Sequence, residues 1–299
     1  MSFASQTQSP AAKFKHALAE SKPLQIVGTI NAYTAMMAEQ VGHKVVYLSG
    51  GACANMSFGL PDLGLTNLMD VAEDARRITA AVETPLMVDI DTGWGGAFNI
   101  ARAVKEMERA GVAAVHIEDQ VAQKRCGHRP NKEIVSTCEM VDRIKAAVDA
   151  RTDPDFFIIA RTDAYASEGL EGALERITQY KEAGADGIFA EAMRDISEYK
   201  VFKSQCALPL LANMTEFGQS PIYTKTALAE AGVDMVLYPL TAARAMNKAA
   251  ENVYKTLINE ESQAGLVDCM QSRKELYQYL NYNEYESKLD TLFSQGKNL

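Results

Sequence analysis

The sequence predicts an α/β chain folded as a (β/α)8 barrel of the TIM type, with additional C-terminal helices. Three observations carry this expectation: eight short apolar runs, segments of helical period between them, and a recurrent helix–turn–strand unit. The runs are continuously apolar rather than alternating, which marks strands buried on both faces, as in a parallel sheet.

Taken in order, the chain opens with a polar and charged segment, residues 1–23, that has no apolar run long enough for a signal peptide. "IVGTIN" (26–31) and "VVYLSG" (45–50) are the first two strands. "NLMDVAEDARRITAAV" (67–82) then places Leu68, Val71, Ala75, Ile78 and Val82 on one helical stripe, with Thr66 as its N-cap. After "PLMVDID" (85–91), the helix "FNIARAVKEMERAG" (98–111) ends in Gly111, a good C-terminal stop. "AAVHIED" (113–119), "FFIIARTD" (156–163), "GIFAEA" (187–192), "PLLANM" (209–214) and "MVLYPL" (235–240) complete the eight. "RAGVAAVHI" (109–117), "EAGADGIFA" (182–190) and "EAGVDMVLY" (230–238) each set Ala-Gly at a helix end just before a strand. Such barrels take about 250 residues. An open doubly wound sheet would show GxGxxG after its first strand, and "IVGTINAYTA" lacks it. The expected organisation is one domain: an N-terminal segment (1–23), the barrel (24–250) and a helical extension (251–299). The Tyr- and Leu-rich helices of the extension need a surface to cover, either the barrel or another subunit.

The formal net charge of -9 gives no support to nucleic-acid or anionic-membrane partners. No window nears the roughly 18 apolar residues of a membrane helix. Five scattered cysteines without CxxC argue against a disulfide framework and a thiolate zinc site, and point to a reducing cytoplasm.

In a barrel of this kind the site lies at the C-terminal strand ends. Here those ends are polar: Ser49-Gly50-Gly51, Asp89 with Asp91, His116 with Glu118 and Asp119, Arg161 with Asp163, Glu191, Asn213 with Thr215 and Glu216, and finally Arg244. Asp89 and Asp91 are two apart on a strand, so both side chains point one way. Two hard oxygen ligands without a His or Cys pair favour Mg2+, or Mn2+, with Glu118 joining directly or through water. The plainer alternative has one Asp bonding backbone amides and the other pairing with Arg161. Arg161 and Arg244 offer bidentate donors to a carboxylate substrate.

The loop "KRCGHRPNK" (124–132) follows strand four and crowds Lys124, Arg125, His128, Arg129 and Lys132 around Cys126. Flanking cations favour a thiolate, so the cysteine pKa is expected to fall. The loop would close as a lid, with Cys126 as a proton donor.

At these residues the chain resembles the isocitrate lyase/phosphoenolpyruvate mutase superfamily. "KRCGHRPNK", "SGG" (49–51), "GLPDLG" (59–64), "DIDTGWG" (89–95), "HIEDQ" (116–120), "ARTDA" (160–164) and "NMTEFG" (213–218) carry the resemblance, which runs from about residue 20 onward. Within the superfamily it is similar to the branch that splits 2-methylisocitrate into pyruvate and succinate in the methylcitrate cycle of propionate breakdown. The resemblance implies a (β/α)8 barrel whose last barrel helix is swapped between subunits, giving a homotetramer built as a dimer of dimers. It implies Mg2+ on Asp89 and Asp91, with Asp62 and Glu118 acting through water. Ser49, Gly50 and Gly51 would bind the 2-oxo-acid half of a tricarboxylate substrate. Cys126, Gly127 and His128 would form the catalytic loop, while Arg161, Glu191, Asn213, Thr215, Arg244 and Arg273 would contact substrate. Tyr47 is the candidate general base, and Phe189, Leu237 and Pro239 are the candidate nook for the methyl group. The alternatives are another 2-oxo-acid enzyme of the superfamily and a barrel that has lost turnover. A Schiff-base aldolase would need a lysine at a strand end, and none of the eight runs ends in one.

Overall fold

Eight strands alternate with helices and close into a parallel barrel in sequence order, β1 next to β2 and so on round to β8 against β1. The computed structural model describes residues 8–294. The outermost parts of the N-terminal segment and of the extension, 1–7 and 295–299, lie outside the described residues. The strands are β1 (Leu24–Gly28), β2 (Val45–Leu48), β3 (Leu86–Asp89), β4 (Ala114–Glu118), β5 (Phe157–Thr162), β6 (Gly187–Ala190), β7 (Leu210–Asn213) and β8 (Met235–Tyr238). Each is shorter than its apolar run, because the last residues of the runs turn out of the sheet into the loops that build the mouth. Val46 opposite Leu86 and His116 opposite Ile159 typify the register.

The core has two layers. Leu24, Ile26, Val45, Met87, Ile159, Phe189 and Leu237 fill the barrel interior. A larger shell lies between the strands and the helices. The helices of the first part are α1 (Pro10–Glu20), α2 (Ala32–Val41), the short α3 (Gly50–Ala52) running into a π-turn (Cys53–Ser57), α4 (Leu68–Thr79), α5 (Ala97–Arg109), α6 (Thr137–Ala150), α7 (Tyr165–Glu182), α8 (Ile196–Gln205) and α9 (Lys225–Glu230). The stripe read on α4 is buried, Leu68, Val71, Ala75 and Ile78 all facing the shell. Its cap is Asn67, not Thr66: the Asn67 side chain accepts from the amides of Met69 and Asp70, and Asp70 answers with its own carboxylate. A side-chain amide oxygen at that position satisfies two orphan donors, so the helix starts one residue late. Gly111, Gly184 and Gly232 in the three repeat copies all take left-handed φ, at 78°, 100° and 84°, which a side chain resists.

The N-terminal segment folds. Ser9 caps α1, and Pro10 opens it without losing a hydrogen bond. Phe14 is fully buried, 5.1 Å between ring centroids from Phe157, the first residue of β5. Burying that ring contributes about 2–3 kcal/mol and joins α1 to the apolar cluster of the barrel interior.

The chain divides into two compact units, one ending at Ala243 and one beginning at Arg244. The helices of the second part are α10 (Thr241–Glu260), a 3-10 turn (Ala264–Cys269), α11 (Arg273–Tyr279) and α12 (Tyr282–Ser294). Among the described residues from Arg244 onward none is buried. Tyr254, Ile258, Tyr285, Leu292 and Phe293 are all exposed apolar groups.

Candidate active site

The mouth is built where the strands end. Ser49 leaves β2 and caps α3, its Oγ accepting from the Ala52 amide at 3.3 Å. Gly50 and Gly51 follow, and their missing side chains make room for carboxylates. A Cβ on Gly50 would lie 3.0 Å from Asp91 Oδ1 and 3.2 Å from Asp89 Oδ2, and one on Gly51 would lie 2.9 Å from Asp62 Oδ2. The structure thus brings Asp62, Asp89 and Asp91 against one glycine turn.

Asp91 is not on the strand. β3 ends at Asp89, and Asp91 sits in the next turn at φ 47°, so the two-residue alternation does not aim its side chain. The turn does: the Asp91 amide donates to Asp89 Oδ1 at 3.0 Å, which folds the second carboxylate back beside the first. Burial first, then repulsion from Asp89, pushes the Asp91 carboxyl up to about 7. For Asp89 burial also pushes up, but His116, Lys124 and Arg161 outweigh it, and the net direction is down. Lys124 bridges the group, its Nζ 2.5 Å from Asp62 Oδ1 and 2.6 Å from Asp91 Oδ1. The second contact is ionic and off the hydrogen-bonding angle. Two buried acids side by side, each raising the cost of the other's charge, are a donor set that a divalent cation fits. Glu118 adds to it: it is 1% exposed, and neither carboxylate oxygen finds a hydrogen bond. Burial, Asp163 and Asp89 hold its carboxyl well above the usual range against the pull of Arg161 and Lys124. Among the described residues no three His, Cys, Asp or Glu side chains converge on one point. Mg2+ is commonly held by one or two carboxylates, with water and substrate completing the shell.

Beside the acids lies a buried polar chain. Tyr47 Oη is 2.8 Å from His116 Nε2, and His116 Nδ1 is 3.6 Å from Asp89 Oδ1. Burial lowers His116 to about 4, so its imidazole is neutral. Burial and Asp89 raise the Tyr47 phenol well above its ordinary value, so it holds its proton.

Arg161, on β5, is ringed by carboxylates: Asp163 Oδ2 at 2.9 Å, Glu118 Oε2 at 3.3 Å and Glu191 Oε2 at 3.9 Å. Its guanidinium lies 5.0 Å over the Phe189 ring. Glu191 is ionised despite its burial, because Arg161, His128 and Lys132 face it. Asn213 Nδ2 donates to it at 3.3 Å, leaving the Asn213 Oδ1 unpartnered. Thr215 is buried in the loop after β7. Arg244 stands on α10 and Arg273 opens α11. Both belong to the second unit, so their part in the site rests on the motif match alone.

The loop 124–132 is closed on this cluster. Gln120 pins its start, bonding the Arg125 amide and carbonyl at 2.9 Å each. Gly127 passes so near Arg161 and Glu191 that a Cβ would lie 2.6 Å from Glu191 Oε1. His128 Nε2 is 2.8 Å from the same oxygen. Lys132 Nζ bonds both Gly127 O and Asp163 Oδ1 at 2.6 Å.

This geometry corrects the expected thiolate. Two of the cations adjacent in sequence turn away from Cys126: Lys124 reaches Asp62 and Asp91, and Lys132 reaches Asp163. Arg125 and Arg129 are exposed. Cys126 keeps solvent contact, yet partial desolvation by the closed loop, with Asp62 and Glu191 facing it, pushes its thiol up from 9.0 against the His128 amide and Arg161. The sulfur is a neutral S–H at physiological pH, a state suited to giving a proton. Sequence reasoning set Lys124 and Lys132 beside Cys126 and Asp163 at a strand end, but missed that they pair with acids, Lys124 with Asp62 and Asp91, Lys132 with Asp163. A buried salt bridge between a loop lysine and a strand-end acid has no local pattern. His116 did carry a signal, as a lone imidazole inside the apolar run of β4.

The phosphoenolpyruvate phosphomutase family model matches residues 14–258. The 2-methylisocitrate lyase of Shewanella oneidensis is 63% identical over 291 residues, 97% of this chain and 100% of that protein. Among solved structures, a 2,3-dimethylmalate lyase superposes with a TM-score of 0.87 at 31% identity, covering 96% of each chain. A phosphonopyruvate hydrolase in complex with oxalate and Mg2+ superposes with a TM-score of 0.84 at 28% identity, covering 95% of this chain and 99% of that one.

Proposed function

The chain belongs to the phosphoenolpyruvate phosphomutase family, and from that premise we propose that it is a carbon–carbon lyase cleaving 2-methylisocitrate to pyruvate and succinate. The observation that carries the reading is the end-to-end identity of 63% to a protein of that activity. The site geometry supports it, with a cradle of acids, a ring of cation-binding and anion-binding side chains, and a protonated thiol on a closed lid.

Asp89 and Asp91 would hold Mg2+, with Asp62 and Glu118 reaching it through water. Mn2+ suits the same oxygen donors. When bound, the cation supplies Lewis-acid stabilisation of negative charge on substrate oxygens. Ser49, Gly50 and Gly51 receive the half of the substrate that becomes pyruvate. Arg161, Asn213 and Thr215 bind carboxylates of the other half, with Glu191 fixing Arg161 and His128. Arg244 and Arg273 add cationic contacts.

Tyr47 takes the C2 hydroxyl proton while passing its own to His116 Nε2, and Asp89 balances the charge on the far side of the ring. The C2–C3 bond then breaks as the oxygen lone pair forms the ketone of pyruvate. The bond's electron pair passes to C3 and its carboxylate, an enediolate with more charge than the substrate carries. Donors fixed beforehand stabilise that charge more than the ground state. Cys126 Sγ–H gives its proton to C3, releasing succinate. Phe189, 1% exposed and packed edge-on to His116 at 5.2 Å, lines the methyl nook with Leu237 and Pro239.

The apolar side chains exposed from Arg244 onward are read as a contact with further copies, giving a helix-swapped dimer and then a tetramer. The five cysteines are unpaired, which fits a cytoplasmic location. No helix among the described residues is long and apolar enough to cross a membrane.

The test is direct. Purified protein supplied with 2-methylisocitrate and Mg2+ should release pyruvate, and EDTA should stop it reversibly. Failure to release pyruvate in the presence of Mg2+ would refute the activity. Light scattering on the same sample reads the oligomer.

A further inference from the structure

We propose that Phe217, Gly218 and Gln219, in the loop between β7 and α9, form the jaw that receives the 124–132 loop. In it Gln219 is a positioning residue that sets the tautomer of His128, and position 218 is glycine because the imidazole occupies the place of its side chain. The proposal deepens the lyase reading, since it rests on loop 124–132 being the lid of that reaction.

Gln219 grips His128 twice. Its backbone N–H donates to His128 Nδ1 at 2.9 Å, and its side-chain Nε2 donates to the His128 carbonyl at 3.1 Å. A backbone amide only donates, so Nδ1 must be an acceptor without a hydrogen. With Nδ1 accepting, the ring proton of His128 is placed on Nε2, 2.8 Å from Glu191 Oε1 in a bent contact. One loop thus decides which nitrogen of a residue on another loop faces the ionised Glu191 and, beyond it, Arg161.

Gly218 lies flat against the same ring. A Cβ there would stand 2.6 Å from His128 Nδ1 and 2.9 Å from Cε1. The backbone at 218 is not left-handed, so alanine would be allowed but for the histidine. Phe217 supplies the third observation. It holds a left-handed φ of 60° without being glycine, and its ring is 93% exposed. What the turn achieves is to present the two following residues to the lid.

Three variants of the full-length protein test this: Gly218→Ala, whose added Cβ pushes the imidazole off the Gln219 amide, and Gln219→Glu and Gln219→Met, which keep the backbone N–H on Nδ1 but lose the side-chain donor to the His128 carbonyl. The first readout is trypsin cleavage after Lys124 and Arg125 in the Mg2+-loaded protein, mapped by mass spectrometry. Arg129 precedes Pro130 and is spared. Losing one neutral hydrogen bond should speed cleavage there by roughly threefold to tenfold, and kcat/KM on 2-methylisocitrate should fall by a similar factor with most of the change in KM. Gly218→Ala should exceed both. Melting temperature and cleavage outside 120–134 should stay at wild-type values. Unchanged loop cleavage in Gly218→Ala, or cleavage rising equally along the whole chain, overturns the jaw. The two readings separate cleanly, because a wild type that releases no pyruvate defeats the lyase assignment while the cleavage map still judges the jaw.

Discussion

Replacing Asp163 by asparagine removes one charge from an acid that ties the lid to the mouth. The Asp163 side chain is fully buried and accepts from Lys132 Nζ at 2.6 Å, Arg161 Nε at 2.9 Å and Arg161 Nη2 at 3.3 Å. Its backbone is tied separately, the amide donating to Asp119 Oδ1 at 2.8 Å, so the turn survives the change. Asparagine offers one acceptor oxygen: in the Oδ2 place it keeps one of the three bonds, in the Oδ1 place two, and whatever it keeps is weakened by the loss of charge. Each bond to a charged group is worth about 1.5–3 kcal/mol, which gives roughly 3–6 kcal/mol for two. Arg161 retains Glu118 and Glu191, and Lys132 retains the Gly127 carbonyl, so the lower half applies. We expect a loss of about 3–4 kcal/mol, within the range for breaking a buried ion pair. Urea unfolding at fixed protein concentration measures it, with kcat/KM followed in parallel. Adding Lys132→Met removes the stranded partner, so the double mutant should recover about 1–3 kcal/mol of the sum of the singles. A single variant within about 0.5 kcal/mol of wild type would mean that the buried network does not hold the lid, and the electrostatic account of the site would fall.

Cys126→Ser should bind substrate with near-normal affinity while kcat drops by about 10²–10⁴, the share of a positioned proton donor; a rate close to wild type removes the thiol from the reaction. Because its surroundings raise the Cys126 thiol above 9.0, iodoacetamide labelling of that cysteine should keep accelerating past pH 9. A labelling midpoint near neutrality would restore the thiolate reading and contradict the geometry. Isocitrate, which lacks the methyl group, should be cleaved with kcat/KM lower by roughly 10–200-fold, the discrimination one methyl contact allows. Phe189→Ala should narrow that ratio, and equal values for both substrates in the wild type would dismiss the nook.

Much of this molecule is legible one residue at a time. Strands buried on both faces must be apolar throughout, so β2 to β7 announce themselves, and β1 and β8, half-buried in part, are still mostly apolar; the glycines of the AG-strand repeat follow from left-handed helix ends. Asp89, Glu118, Arg161 and Glu191 stand out because a charged group at the end of an apolar run needs a reason to be there. These are local properties, fixed by neighbours within a few residues along the chain. The structure decided what no spacing encodes. Asp91 joins Asp89 through a left-handed turn rather than through strand alternation. The N-terminal segment, polar on average, carries Phe14, whose buried ring joins the cluster of the barrel interior. The lysines that looked like partners of a thiolate are drawn instead to acids more distant in sequence, Lys124 to Asp62 and Lys132 to Asp163, because a buried charge goes to the nearest opposite charge in space. Once those cations are spent on the lid's own closure, Cys126 keeps its proton.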